Sequence, residues 1–265
     1  MCNDPKLSVL GLAPLPPALV GRGARRRAPG RTDGASVAAM RSQPSFRATS
    51  AVVLVFAAAM AYLEGAVVVY LEGALGSHVG DIFPLRPANE LGSLIAIEAG
   101  REAATLVIIG AVGILVGRTR LERLAWSAVV FGTWDVGYYG WLHVFSGWPP
   151  SLHTFDLLFL LPVPWDGPVW SPLAVSAALI GVGLAAARAE RAGPPLVVSR
   201  RHWAAGLGGG LVVVLSYTLD APRLIDGGLP GPYAWPLFVA GMLLALAAAV
   251  DVLRGGRGEV STSTA

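Results

Sequence analysis

The chain has 265 residues, of which 54% are apolar and only 14% are Asp, Glu, Lys or Arg. Soluble domains carry roughly a quarter charged residues, so the composition argues against a soluble globule. The formal charge of +3 comes mainly from arginines placed between apolar segments. Such arginines are topology signals, and we expect no nucleic-acid partner. The composition therefore predicts a polytopic protein whose partner is the lipid bilayer.

The first 47 residues are rich in Pro, Gly and Arg and have no helical apolar period. We therefore expect residues 1–47 to be a disordered basic cytoplasmic tail. Met40 precedes a short basic stretch and then an apolar run, which is the pattern of an alternative start. Residues 255–265 are also expected to be a disordered tail, which leaves 48–254 as the transmembrane domain.

Six windows are apolar and long enough to cross a bilayer, which takes about 20 helical residues. They are approximately 50–72, 90–117, 122–146, 168–188, 202–220 and 235–253. Seventeen of the 20 Lys and Arg residues lie in the tails and in alternate connections. This bias predicts an inner-membrane protein with both termini cytoplasmic. A cleaved signal peptide is the alternative for the first window, although the apolar run resumes after Glu64.

A seventh apolar stretch, from Phe155 to Val163, is too short to span a membrane. Prolines at 162, 164 and 168 interrupt it, and a helix cannot continue through that spacing. We interpret the stretch as a short interfacial or re-entrant half-helix on the outer side, with its backbone covered by protein. The predicted fold class is therefore all-α, a membrane bundle of six transmembrane helices plus this half-helix.

Five ionisable residues lie in the interior of the predicted membrane helices, away from their ends, where each is costly unless it is paired or hydrated. They are Glu64, Glu98, Arg101, Glu102 and Asp135. The spacing places Glu98, Arg101 and Glu102 on one face of the second helix. Tyr139 shares a face of the third helix with Asp135. We expect these faces to meet and to form an acidic pocket between the first three helices, open to the outside.

The acidic cluster has more than one interpretation. Arg101 could simply neutralise the carboxylates in pairs that hold the helices in register, as in a non-catalytic assembly subunit. The excess of carboxylates over a single arginine instead favours binding of a proton or a cation. On that view the candidates for acid–base chemistry on a lipid-soluble substrate are Glu64, Glu98, Arg101, Glu102, Asp135 and Tyr139. A proton- or cation-coupled carrier would use the same carboxylates as relays.

A metal site receives weaker support from the sequence. Carboxylates would suit Mg, Ca or Mn, and His143 would shift the preference towards iron or zinc. However, the Glu-x-x-His spacing of helical di-iron sites is absent, and Arg101 would repel a cation. His153 and Asp156 in the outer loop form a spacing more typical of a solvated pair. The sequence therefore assigns no metal and identifies no cofactor.

Three further sequence patterns stand out in the chain. They are Glu98-x-x-Arg-Glu-Ala-Ala-Thr105, Trp134-Asp-x-x-Tyr-Tyr-x-Trp-Leu142 and Phe159-Leu-Leu-Pro-Val-Pro-Trp-x-Gly-Pro168. Together they resemble uncharacterised bacterial multi-pass membrane proteins, and the resemblance covers approximately residues 60 to 172. It implies a membrane location and assigns no activity.

Overall fold

A computed structural model describes residues 44–87 and 92–255 of the chain. The predicted tail residues 1–43 and 256–265 lie outside this described part. The structure is mostly helical, at 71%. Its helices are α1 Phe46–Ala74, α2 Leu94–Val116, α3 Arg120–Ser146, α4 Trp170–Ala192, α5 Arg200–Thr218, α6 Ala221–Ile225 and α7 Trp235–Gly255. The six long helices coincide to within about four residues with the six predicted windows.

Five of the long helices, all except α3, are long and apolar enough to cross a membrane. They are consistent with an integral membrane protein. α1 begins at Phe46, slightly before the predicted domain boundary, because the Ser45 side chain accepts a hydrogen bond of 3.2 Å from the Ala48 N–H and caps the helix. Residues 46 and 47 therefore belong to the helix and not to the predicted tail.

The polar character of α3 follows from its central position. α3 packs against α1, α2 and α4, and 10 of its residues are buried, against 4 in α1. The side chains of Trp126, Val129 and Leu142 have no exposed surface. Because neighbouring helices cover this buried face, α3 can carry polar residues there.

α5 and α7 pack chiefly against each other. Two glycines make this close contact possible: a Cβ atom on Gly209 would lie only 2.6 Å from the carbonyl oxygen of Gly241. Small residues at such crossings allow membrane helices to approach closely. The bundle therefore has a group of helices around α3 and a second pair formed by α5 and α7, which α7 joins to α4.

The predicted half-helix over Phe155 to Val163 is wrong, because this segment forms the first strand and the turn of a β-hairpin. Strand β1 (Phe155–Phe159) pairs antiparallel with β2 (Trp165–Pro168), and a register shift lies between Leu157 and Phe159. Two of the prolines that prevent a helix lie in the turn between the strands, and the third ends β2. The fold is thus a helix bundle with one small sheet and is not strictly all-α.

The hairpin lies between the two helix groups. The Phe159 ring is 6.4 Å from Phe131 of α3, and the Trp165 ring is 6.3 Å from Tyr217 of α5. The backbone N–H of Val169 also donates to Thr154 at 3.0 Å, which closes the base of the hairpin. These contacts hold the strands where they can contribute side chains to the space between the helices.

Candidate functional site

A cavity of about 980 Å³ lies between the helices and the hairpin. Its lining is divided. Polar side chains come from α1, α2, α3, β1 and the connection between α1 and α2, which contributes Asp81 and Arg86. In contrast, α4, α5 and α7 contribute mainly apolar side chains. The polar lining of the helices and β1 includes Glu64, Glu98, Arg101, Glu102, Asp135, Tyr138, Tyr139 and Asp156. The structure therefore places all six residues singled out from the sequence around one cavity.

Arg101 connects α2 with α1. Its guanidinium forms ion pairs with Glu64 and Glu98, and Arg101 Nε donates to Glu98 Oε2 at 2.9 Å. The three side chains are 22%, 11% and 19% exposed for Arg101, Glu64 and Glu98, respectively. Arg101 therefore forms ion pairs with two carboxylates on different helices, in a position that is largely shielded from solvent.

Glu102 lies one residue further along α2 and has a different partner. Both of its carboxylate oxygens accept the backbone N–H of Leu160, each at 3.0 Å. Leu160 directly follows β1, so this carboxylate attaches α2 to the hairpin. Glu102 is buried.

Asp135 on the central helix is buried and bonded to α4. Its Oδ2 accepts a hydrogen bond of 2.8 Å from the hydroxyl of Ser176, which is also buried. Within the described residues, Oδ1 of Asp135 has no hydrogen-bond partner. Asp135 therefore retains an oxygen that is available to a molecule in the cavity.

Asp156 is a cavity residue that sequence reasoning missed. The predicted solvated pair of His153 and Asp156 is wrong, since His153 is exposed whereas Asp156 is buried. Asp156 accepts hydrogen bonds from the Tyr139 hydroxyl at 2.9 Å and from the Leu157 N–H at 2.8 Å. Burial raises the pKa of Asp156 to about 7, although the Tyr139 hydrogen bond opposes this shift.

We call Glu64, Glu98, Glu102, Asp135 and Asp156 the carboxylate cluster. Within the described part of the chain, Arg101 is the only cation paired with a member of it. Charges without a partner are costly in a site of low dielectric. Arg86 also lines the cavity, but the five carboxylates of the cluster still outnumber the two arginines. Protons or a cationic group must therefore offset part of the negative charge.

The described residues contain no group of three or more His, Cys, Asp or Glu side chains arranged to hold a metal ion. His143 is exposed and does not line the cavity. The cluster accordingly lacks the histidine that could favour iron or zinc.

The apolar side of the cavity extends away from the hairpin. On α4 the lining runs from Pro172 to Val182, which is about 15 Å of helix. Gly206 near the start of α5 and Ala249 near the end of α7 also line it, and both lie towards the opposite end of the bundle. The cavity thus combines a charged region near the hairpin with a long apolar region.

Comparison of the chain with protein-family models, with curated proteins and with solved structures finds no match in any of the three.

Proposed function

We propose that the cavity binds a lipid-soluble small molecule with a polar head, and that the carboxylate cluster performs acid–base chemistry on that head. The observation that carries the proposal is the division of the cavity of about 980 Å³ into a carboxylate-lined region and an apolar region. An amphiphilic molecule matches both parts, with its head at the cluster and its chain along α4, α5 and α7. Ligand sites are typically apolar cavities of this size with few polar groups.

Asp135 is the proposed proton-transferring residue. Glu98 uses both oxygens to bind Arg101, and Glu102 uses both to bind Leu160. Asp135 instead commits one oxygen to Ser176. A buried carboxyl with a free oxygen can donate or accept a proton at a bound molecule.

Glu64 has a similar arrangement, since only its Oε1 binds the Arg101 guanidinium. We therefore assign Glu64 as the second carboxylate of the proposed acid–base pair. Arg101 then positions Glu64 and Glu98 and limits the local negative charge. Tyr139 positions Asp156 through its hydrogen bond.

A proton- or cation-coupled carrier is the second candidate, and the excess of carboxylates over arginine favours it. Such relays use intramembrane carboxylates that change protonation during transport. A carrier needs the cluster to communicate with both faces of the membrane, whereas the proposed enzyme needs access for a lipid-soluble substrate. An assembly subunit would account for the interhelical pairs but would not require the cavity.

We place the protein in a bacterial inner membrane with six spans and with both termini cytoplasmic. α3 is the sixth span in this proposal. Its 27 residues extend about 40 Å, which exceeds the roughly 30 Å hydrocarbon core. The surrounding helices keep its polar residues away from lipid. The arginine-rich connections support the orientation.

Purification in detergent followed by mass spectrometry and elemental analysis tests the proposal. The variant Glu98→Gln/Asp135→Asn keeps side-chain oxygens that accept hydrogen bonds from Arg101 and Ser176 but removes two carboxylates. Asp226→Asn/Asp251→Asn is the matched control, because these two exposed carboxylates do not line the cavity. We expect a lipid-soluble molecule in the wild type and the control and its loss from the cavity variant. Equal retention by all three proteins would contradict the proposed site.

A further inference from the structure

We propose that a second, independent site at the end of the bundle away from the hairpin binds the phosphate group of an anionic phospholipid. A pocket of about 330 Å³ opens there. It is lined by Pro44, Phe46, Arg118, Arg188, Arg191 and Ala192. One arginine from the connection between α2 and α3, and two from the end of α4, thus line one pocket together with the Phe46 ring.

A buried carboxylate fixes part of this pocket. Glu122 is 1% exposed, and its Oε2 accepts the backbone N–H of Arg118 at 2.9 Å. Its Oε1 accepts Trp126 Nε1 at 3.1 Å and also binds Arg191. Arg191 in turn donates to the Thr49 hydroxyl at 3.0 Å. These bonds hold the Arg191 side chain and the Arg118 backbone in place before any ligand binds.

The nearby carboxylates leave two arginines available. Glu190 is already bonded to the Thr119 hydroxyl and to the Leu196 N–H, and Glu122 is occupied as described above. Within residues 44–87 and 92–255, no carboxylate forms a salt bridge with Arg118 or Arg188. Both side chains belong to exposed residues. The pocket therefore has an excess of positive charge and unused guanidinium donors.

Guanidinium groups bind phosphate oxygens with paired, charge-assisted hydrogen bonds. Basic pockets between membrane helices bind anionic lipid head groups for this reason. The Phe46 ring lies 6.0 Å from the Arg188 guanidinium carbon and 5.9 Å from that of Arg191. The ring supplies an apolar surface beside the cations, where the glycerol and upper acyl region of a lipid would lie. A free phosphate shares the charged part of this chemistry but has no use for the aromatic surface.

Native mass spectrometry with added lipid tests this site. The proteins compared are the wild type, Arg118→Gln/Arg188→Gln, the single variant Arg118→Gln, and the control Arg200→Gln/Arg201→Gln. The control removes the same charge from exposed arginines outside the pocket, at the start of α5. Phosphatidylglycerol, phosphatidylcholine and inorganic phosphate are added separately, and the thermal midpoint of each protein is measured without ligand.

We expect phosphatidylglycerol to bind the double variant at least fivefold more weakly than the wild type, with an intermediate loss in Arg118→Gln and no change in the control. Phosphatidylcholine should bind more weakly than phosphatidylglycerol to the wild type. Equal phosphatidylglycerol binding by wild type and pocket variants would overturn the proposal. So would binding of inorganic phosphate alone, since it would assign the pocket to a free anion. If the double variant does not fold, phosphatidylglycerol binding by Arg118→Gln is compared with binding by the control. Weaker binding by Arg118→Gln then supports the proposal, and equal binding overturns it.

Discussion

The hydroxyl of Tyr139 donates a hydrogen bond of 2.9 Å to Asp156, 17 residues further along the chain. This bond joins the central helix α3 to strand β1 and holds a carboxyl of the hairpin among the carboxylates of the membrane helices. The Tyr139 ring also lies 6.1 Å from Trp148, which belongs to the same connection. The hairpin is therefore part of the site and not only a link between α3 and α4.

The stability of the protein should depend on pH through Asp156. Its pKa is raised to about 7 in the folded protein from an ordinary value of 3.8, so the folded state holds a proton that the unfolded state has lost between these values. Its contribution is fully present below pH 3.8 and is lost as the pH rises through about 7. In this window the free energy of unfolding falls by roughly 1.4 kcal/mol per pH unit for one such group.

Thermal unfolding in detergent between pH 5 and pH 8 measures this effect. Asp156→Asn mimics the protonated carboxyl, because its amide can donate to Tyr139 and its oxygen can accept the Leu157 N–H. We expect the thermal midpoint of the wild type to fall with rising pH and that of the variant to fall less. Parallel curves for the two proteins would rule out Asp156 as the responsible group.

Removing Arg101 alone should damage folding more than removing Arg101 together with its two carboxylate partners. Arg101→Gln leaves Glu64 and Glu98 without their shared cation, and breaking a buried pair from one side typically costs about 3 kcal/mol or more. The triple variant Arg101→Gln/Glu64→Gln/Glu98→Gln removes the charges together and should recover part of the loss. The yield of monodisperse protein after size-exclusion chromatography is the readout. If the triple variant gives no higher yield of monodisperse protein than Arg101→Gln, charge imbalance is not the cause of the folding defect.

The helices could be predicted from the sequence because long apolar windows leave few alternatives in a membrane. α3 corresponds to one of the six windows predicted from apolar length, but it is not among the five helices that are apolar enough to cross a membrane. Asp135 and Tyr139 lie on its buried face and lower its mean hydropathy. Neighbouring helices cover that face, and for this reason the helix can carry polar side chains there.

The hairpin and its carboxyl could not be predicted in the same way. A five-residue run such as Phe155–Phe159 has no length signal, and a short apolar run does not distinguish a strand from a buried helix. The assignment of Asp156 to solvent followed from that error. A clue was present in the Phe-Asp-Leu-Leu-Phe composition with prolines beyond it, which suits a short strand before a turn.

The proposed orientation predicts which connections accept reagents from each side. The variants Ser151→Cys, between α3 and α4, and Val197→Cys, between α4 and α5, place thiols at exposed positions, with Cys2 replaced by Ser in both. We expect a membrane-impermeant maleimide to label position 151 in intact cells and position 197 only after the membrane is opened. The reverse pattern would show that the orientation is opposite to the one proposed. Labelling of both positions in intact cells would show that α4 does not cross the membrane.

The most direct test of the ligand cavity is to fill it. Gly210 lines the cavity, and no atom lies within 4 Å of a Cβ placed there, so Gly210→Trp introduces a large side chain without a backbone clash. Gly208 also has free space around a Cβ but does not line the cavity, which makes Gly208→Trp the matched control.

Mass spectrometry of the molecules extracted from the wild type and these two variants gives the ligand content per protein. We predict the same lipid-soluble molecule in the wild type and in Gly208→Trp, and at least fivefold less of it in Gly210→Trp. Equal content in all three proteins, or none in the wild type, would contradict the proposal that the cavity holds a lipid-soluble ligand.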